Sequence, residues 1–261
     1  MFRGRVVAVV IPACNEADKI ADTIRSVPGF VDHVVVVDDG SRDATAAIAR
    51  RAAAGEPGTG RTEVIVHDGN RGVGAAIATG YARALALGAH ATVVMAGDGQ
   101  MDPADLPGLL APVVSGQVDY AKGNRFAWPG GWRMMPPVRM LGGAALSWLT
   151  RLASGYWHVG DSQCGYTVAS RQALEAIGPH LFARYGYPND LLTRLAAARV
   201  RIVDVPVRPV YGPRWRSGLR PLRVVLPIAR LLLRAFARRV RTRWRGAPVV
   251  VEEAARAVTP S

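Results

Sequence analysis

Short runs of β-branched residues alternate with amphipathic stretches along the first half of the chain. Val6–Ile11, Val34–Val37, Val64–Val66, Ala91–Ala96 and Val118–Ala121 read as buried strands. Helical spacing fills the gaps, over Glu16–Val27, Asp43–Ala54, Gly74–Leu87 and Pro103–Val114. Asn15 stands where an N-cap would precede the first helix and Pro28-Gly29 where it would stop; Gly88 ends the third and Pro103 opens the fourth. This rhythm predicts an α/β fold with a mainly parallel, Rossmann-like sheet covered by helices on both faces.

After Arg125 the pattern changes. Phe126–Pro137 is rich in Trp, Gly, Met and Pro, and Val138–Ser154 then reads as an apolar helix. A strand at Tyr166–Ala169, helices over Arg171–Ile177 and Pro188–Ala198, and a strand at Val200–Val205 follow. The tail from Leu219 to Trp244 is predicted helical, broken or kinked at Pro227. The Trp- and Met-rich segment from Trp128 to Trp148 fits a lipid interface, where Trp is favoured, or alternatively core.

Charge sharpens this division. The net charge is +13, and twelve arginines between Val205 and Val251, with no acid among them, account for +12 of it. A basic amphipathic tail over 218–261 therefore follows a nearly neutral body. The expectation is contact with an anionic membrane surface; the alternative is a helix docked on its own domain with its arginines in water. No stacking platform accompanies the charge, so nucleic acid is not an expected partner. The N-terminal apolar run is too short for a signal peptide and no stretch is long enough for a spanning helix. Cys14 and Cys164 form neither a disulfide framework nor a metal spacing, as in a cytoplasmic protein.

Ligands in open α/β sheets sit beyond the carboxyl ends of the strands. Val37-Asp38-Asp39-Gly40-Ser41 and Met95-Ala96-Gly97-Asp98-Gly99-Gln100 place carboxylates at two such ends. Together they suggest one polar site suited to a sugar-nucleotide or a metal. Asp98 and Gln100, at i and i+2 on one side of an extended chain, offer the oxygen ligands that a hard divalent cation takes.

Pro12-Ala13-Cys14-Asn15-Glu16, Val37-Asp38-Asp39-Gly40-Ser41, Asp98-Gly99-Gln100-Met101-Asp102-Pro103, Gly123-Asn124-Arg125 and Asp161-Ser162-Gln163-Cys164-Gly165-Tyr166 occur in order. In this the chain resembles the family 2 glycosyltransferases over roughly residues 5–217, and among them the dolichyl- or polyprenyl-phosphate sugar synthases. The resemblance implies a GT-A fold, a nucleotide-sugar donor (UDP- or GDP-), a divalent metal (Mg²⁺ or Mn²⁺) and inversion at the anomeric carbon. It divides residues 1–217 into a nucleotide-sugar half (1–125) and an acceptor half (126–217). By resemblance Pro12, Cys14, Glu16, Asp38, Asp39 and Gly97 line the donor pocket. Asp98 and Gln100 hold the metal, and Arg125 clamps the donor phosphates. Arg214, Arg216 and Arg220 lie where the family has a basic loop that closes over diphosphate. The chain departs from the family at Ala96, where an acid is usual, so weaker metal binding is expected.

The expected reaction is sugar transfer to polyprenyl phosphate by a peripheral enzyme on the cytoplasmic face of the membrane, serving cell-envelope polysaccharide. A membrane-spanning partner protein would fit a chain with no span of its own. One alternative is transfer to a hydroxyl of a lipid-linked or soluble glycan. Asp190 would then be the base, although it also suits a metal neighbour or a helix cap. The other alternative, raised by Ala96, is an inactive sugar-nucleotide-binding or partner protein.

Overall fold

A computed structural model describes residues 1–55, 61–184, 186–211 and 221–244. Seven strands form one sheet: β1 (Val7–Ala13), β2 (His33–Asp38), β3 (Thr62–Val66), β4 (Ala91–Val94), β5 (Tyr120–Asn124), β6 (Thr167–Ser170) and β7 (Ile202–Pro206). Their spatial order is β3-β2-β1-β4-β6-β5-β7. The first four strands are parallel, with Val9 opposite both Val34 and Val93. The mainly parallel expectation needs one correction. β6 enters between β4 and β5 and runs antiparallel to both, so the sheet is mixed, as in GT-A folds.

Alternate side chains of the strands feed two cores. Val7, Val9 and Ile11 of β1 face α1 (Ile20–Ser26), α2 (Thr45–Ala54) and α4 (Leu106–Val114). Ala8 and Val10 face α3 (Val73–Ala86), α7 (Arg171–Ile177) and α8 (Tyr187–Ala197). This is the period-two pleat of a sheet buried on both faces. Gly80 lets α3 lie on β1: a Cβ there would stand 2.1 Å from Val10 Cγ1.

The first helix starts at Ile20, later than its pattern suggested, because Asn15 does not cap it. Asn15 takes a left-handed conformation (φ 57°), its N–H donates to Ser41 Oγ, and its Oδ1 accepts from the Arg42 N–H. The side chain is engaged by the neighbouring loop.

In the second half, a short helix α5 (Gly131–Met134) leads into α6 (Pro137–Ser154). The Trp-rich segment is not core throughout, since Trp132, Val138, Leu141 and Trp148 are exposed. The last helix, α9 (Pro221–Trp244), runs across Pro227 without a break. Its Ile228, Leu232 and Ala235 are buried with Ala153 of α6, and Arg239 donates to the Leu152 carbonyl at 2.7 Å. The described part of the tail is thus a helix docked on its own protein. The residues from 245 onward lie outside the described residues. So do Arg214, Arg216 and Arg220.

Candidate active site

The carboxyl ends of β1, β2 and β4 come together, as three parallel neighbours must. The loop after β1 is stitched to the loop after β2: the Glu16 N–H donates to Thr45 Oγ1 (2.8 Å) and the Ala17 N–H to Asp43 Oδ2 (3.3 Å). Beneath them Gly97 packs on β1. Its N–H donates to the Pro12 carbonyl (3.1 Å), and a Cβ there would stand 3.1 Å from the Ala13 Cβ. Pro12 and Gly97 therefore contribute backbone to the floor of the cleft.

The two acids at the end of β2, Asp38 in the strand and Asp39 just after it, are buried and differ in their engagement. Asp39 is held on both oxygens. Oδ1 accepts from the Arg71 N–H (2.9 Å) and lies 2.9 Å from His67 Nδ1, while Oδ2 accepts from the Gly72 N–H (2.7 Å). Its partners make it a clamp on the loop leading into α3. Asp38 accepts on Oδ1 from the N–H and hydroxyl of Ser41. Cys14 is half-buried and accepts from Asn70 Nδ2 at 3.2 Å; burial pushes its thiol up, so it is no thiolate at neutral pH.

Asp98 carries the clearest electrostatic signature. Burial raises its carboxyl above the usual range; the Gln100 N–H, donating to Oδ1 at 3.1 Å, and the charges of Lys19 and Arg139 pull it partly back. Glu16 is raised by burial too and further by Asp98, against the pull of Lys19, whose Nζ is 3.5 Å from Oε2. Two carboxylates thus sense each other across the cleft, with Gln100 beside them. These oxygens suit a hard cation. Among the described residues no group of three or more His, Cys, Asp or Glu gathers to hold a metal. The sequence reading did not single out Lys19 and Arg139. Arg139 comes from α6, about forty residues beyond Asp98, and nothing local announces it.

Arg125, expected to clamp the donor phosphates, is engaged within the protein. Its Nε and Nη2 donate to Asp161 at 2.7 and 3.0 Å, and its N–H reaches the same carboxylate at 3.3 Å. Nη1 faces the Tyr211 hydroxyl at 3.4 Å. Burial opposes charge on both partners, but each holds the other ionised, and Asp161 falls below the usual carboxylate range. Behind them lies Lys122, buried in β5, its ammonium on the Cys164 carbonyl and its pKa lowered by burial. Asp204 accepts from the Gly160 N–H and Asn124 Nδ2. This network fixes the loop from Gly160 to Gln163 against β5 and β7. Gln163 Nε2 then donates to Asn189 Oδ1 (3.0 Å), joining that loop to α8.

Asp190, one residue on, is held by one carboxylate oxygen. Its Oδ2 accepts from the Phe182 N–H and from Arg194 Nε, each at 2.9 Å. It lines a cavity of about 750 Å³ against α9, to which Pro12, Asp38, Asp98 and Gln100 do not contribute.

Residues 8–178 match Glycosyl transferase family 2. A UDP-N-acetylglucosamine--dolichyl-phosphate N-acetylglucosaminyltransferase of Methanococcus voltae is 30% identical over 79% of this chain and 86% of its own length. An uncharacterized glycosyltransferase of Mycobacterium tuberculosis is 34% identical over 81% of this chain and 87% of its own. Among solved structures, glucosyl-3-phosphoglycerate synthase from M. tuberculosis, in complex with Mn²⁺, UDP and glucosyl-3-phosphoglycerate, superposes with a TM-score of 0.66 at 23% identity. It covers 90% of this chain and 80% of that one. The same enzyme is also seen with Mn²⁺, UDP-glucose and phosphoglyceric acid. These structures correct the expectation of polyprenyl phosphate and an anionic membrane as partners. In those complexes the same fold, over nine-tenths of this chain, is seen with a small phosphorylated molecule and not with a polyprenyl lipid. The described part of α9, offered as the membrane contact, buries apolar side chains against α6. No helix among the described residues is long and apolar enough to cross a membrane.

Proposed function

The chain belongs to glycosyl transferase family 2, and from that premise we propose that it moves a sugar from a UDP-sugar to a hydroxyl of a soluble acceptor, with inversion, aided by Mg²⁺ or Mn²⁺. The observation that carries this reading is the convergence of Asp38, Glu16 and Asp98 where three parallel strands end. Membership of an enzyme family favours this reading over the inactive binding protein that Ala96 had raised.

Asp38, buried at the end of β2, binds the nucleoside, and the backbone around Pro12 and Gly97 shapes the pocket floor. Asp98 and Gln100 hold the cation, with Glu16 close enough to share its field. Bound there, the cation supplies a counter-charge to the departing diphosphate. Lys19 and Arg139, both in electrostatic reach of Asp98, add fixed positive charge to the same place. The acceptor oxygen attacks the anomeric carbon as the bond to the diphosphate oxygen breaks, and a carboxylate takes the hydroxyl proton. Asp190 is our candidate for that base, reached from the acceptor half (126–217). Arg125 and Asp161 act by holding the acceptor-side loop in position.

The experiment is transfer from labelled UDP-sugars to a panel of soluble hydroxyl acceptors, with and without Mn²⁺, in wild type and Asp98→Asn. Metal-dependent product that Asp98→Asn reduces at least a hundredfold supports the reading. Turnover untouched by chelation or by that substitution sinks it.

A further inference from the structure

The cavity beside Asp190 has a composition that the donor site does not explain. One wall is α8 with Phe182, and the other is α9, which presents Arg230, Arg234, Arg238 and Arg241. The spacing of four, four and three places these arginines in one row along the helix. Like charges at such spacing disfavour a helix, and this row has three successive pairs. Among the described residues, Arg230, Arg234 and Arg241 have no acidic partner within ion-pair distance. The only acid among the described residues that line the cavity is Asp190, whose Oδ2 is already engaged by Arg194 and the Phe182 N–H. Among the described residues, the guanidinium groups of Arg230, Arg234 and Arg241 outnumber the single carboxylate of Asp190. The opposite face of α9 is anchored by Ile228, Leu232 and Ala235, so the row is held in place.

We propose that this cavity binds the phosphate of a phosphate-bearing acceptor, with Arg230, Arg234 and Arg241 as its ligands. A guanidinium row matches phosphate because each fork donates two parallel hydrogen bonds to a pair of oxygens. The cavity volume exceeds what a bare phosphate fills, leaving room for the acceptor's organic part beside Asp190. Asp190 is one helical turn from Tyr187, which lies within electrostatic reach of Asp98. An acceptor anchored by phosphate would set its hydroxyl beside Asp190, the proposed base. The inference rests on the transferase reading for the word acceptor, but the phosphate site stands or falls by itself.

The test uses the full chain and two probes, inorganic phosphate and UDP, each titrated calorimetrically into wild type and into Arg230→Ser/Arg234→Ser. Those side chains are exposed, so the variant is expected to fold with an unchanged melting temperature. Phosphate should bind wild type, more weakly as salt rises, and at least tenfold more weakly to the variant, with UDP binding equal in both. Phosphate binding that is absent, or equal in the two proteins, overturns the proposal. Binding of phosphatidylglycerol vesicles but not of inorganic phosphate also overturns it, because the row would then read a lipid surface. If phosphate binds as expected but UDP binds neither protein, the anion site survives and the transferase reading fails. As a second readout, the variant should raise KM for phosphorylated acceptors tenfold or more while leaving KM for the UDP-sugar unchanged.

Discussion

If Arg125 is structural and not a donor clamp, removing it should cost stability before it costs nucleotide affinity. The Asp161 side chain is fully buried and that of Arg125 nearly so, at 14% exposure. Three hydrogen bonds join them, two of them in the parallel geometry of a guanidinium on a carboxylate. Arg125→Met leaves Asp161 ionised in a site with no counter-charge but Lys122. Breaking a buried pair in this way typically costs about 3–5 kcal/mol. For a chain of this length that lowers Tm on the order of 10 °C. Replacing both partners, as Arg125→Met/Asp161→Leu, should recover most of the loss, because no unpaired charge remains. The sign of the pH dependence should also reverse. In wild type Asp161 sits below the usual carboxylate range, so its contribution is present at neutral pH and is lost only on acidification through that low pKa. In Arg125→Met burial dominates and raises the pKa, so the variant should lose stability as pH rises. Urea melts followed by tryptophan fluorescence, at pH 5 and pH 8, measure both effects. UDP affinity by calorimetry supplies the contrast. A stability loss below about 1 kcal/mol with UDP binding abolished would refute the structural assignment and restore the phosphate clamp.

Three further outcomes follow from the same geometry. Asp204 has its pKa raised to about 6, chiefly by burial, and its Oδ1 has no partner among the described residues. Its ionisation therefore weakens the fold as pH rises from about 4 to 6. Asp204→Asn should be more stable than wild type at pH 8 by up to about 3 kcal/mol and equal to it near pH 4; urea melts at both pH values check this, and an equal difference at both refutes it. Gly80→Ala adds a methyl 2.1 Å from Val10 Cγ1, so despite alanine's better helix propensity it should destabilise by about 1–3 kcal/mol; an unchanged or raised Tm would be the failing result. Lys19 holds down the pKa values of both Glu16 and Asp98, so Lys19→Gln should move the acid limb of the kcat/KM profile to higher pH, and a stationary limb would contradict the assignment.

Local pattern revealed what is local. The four valines of β2 and the run of β1 are buried on both faces, and such strands read as continuous apolar stretches. The direction of β6 was not legible, because four residues, Thr167–Ser170, pair antiparallel only after the chain has passed through α5 and α6 and returned. Asn15 misled for a related reason. Its side chain suits an N-cap, but Ser41 and Arg42, on a separate loop, supply its partners. The site divided in the same way. Asp38 and Asp98 announced themselves at strand ends. Arg125 was found by its motif, but its partner Asp161 lies thirty-six residues away and only the fold brings the two together. Lys19 and Arg139 had no motif, and only their common field at Asp98 identifies them.

The charged groups of this protein sort by whether their hydrogen-bonding capacity is already used. Asp39 has both oxygens engaged by His67 and two backbone N–H groups, and Asp161 both by Arg125. Such groups have little left to offer a ligand, and their chemistry is to hold loops. Asp98 is different. Burial has raised its pKa, one backbone N–H answers it, and Lys19 and Arg139 lie within its electrostatic reach. The free energy that burial withholds from its ionised form is regained when a cation arrives, so the raised pKa and the affinity for metal are one property of the site. Glu16 is raised by burial in the same way, and on the proposed reading its field compensates in part for the acid that Ala96 lacks. The prediction is that Glu16→Gln weakens Mn²⁺ binding in the presence of UDP several-fold, where in a site with an acid at position 96 it would matter less. Restoring that acid by Ala96→Asp should make Glu16→Gln nearly silent. Calorimetric Mn²⁺ titration of the single and double variants measures this coupling, and strictly additive effects would show that the two positions do not share one cation.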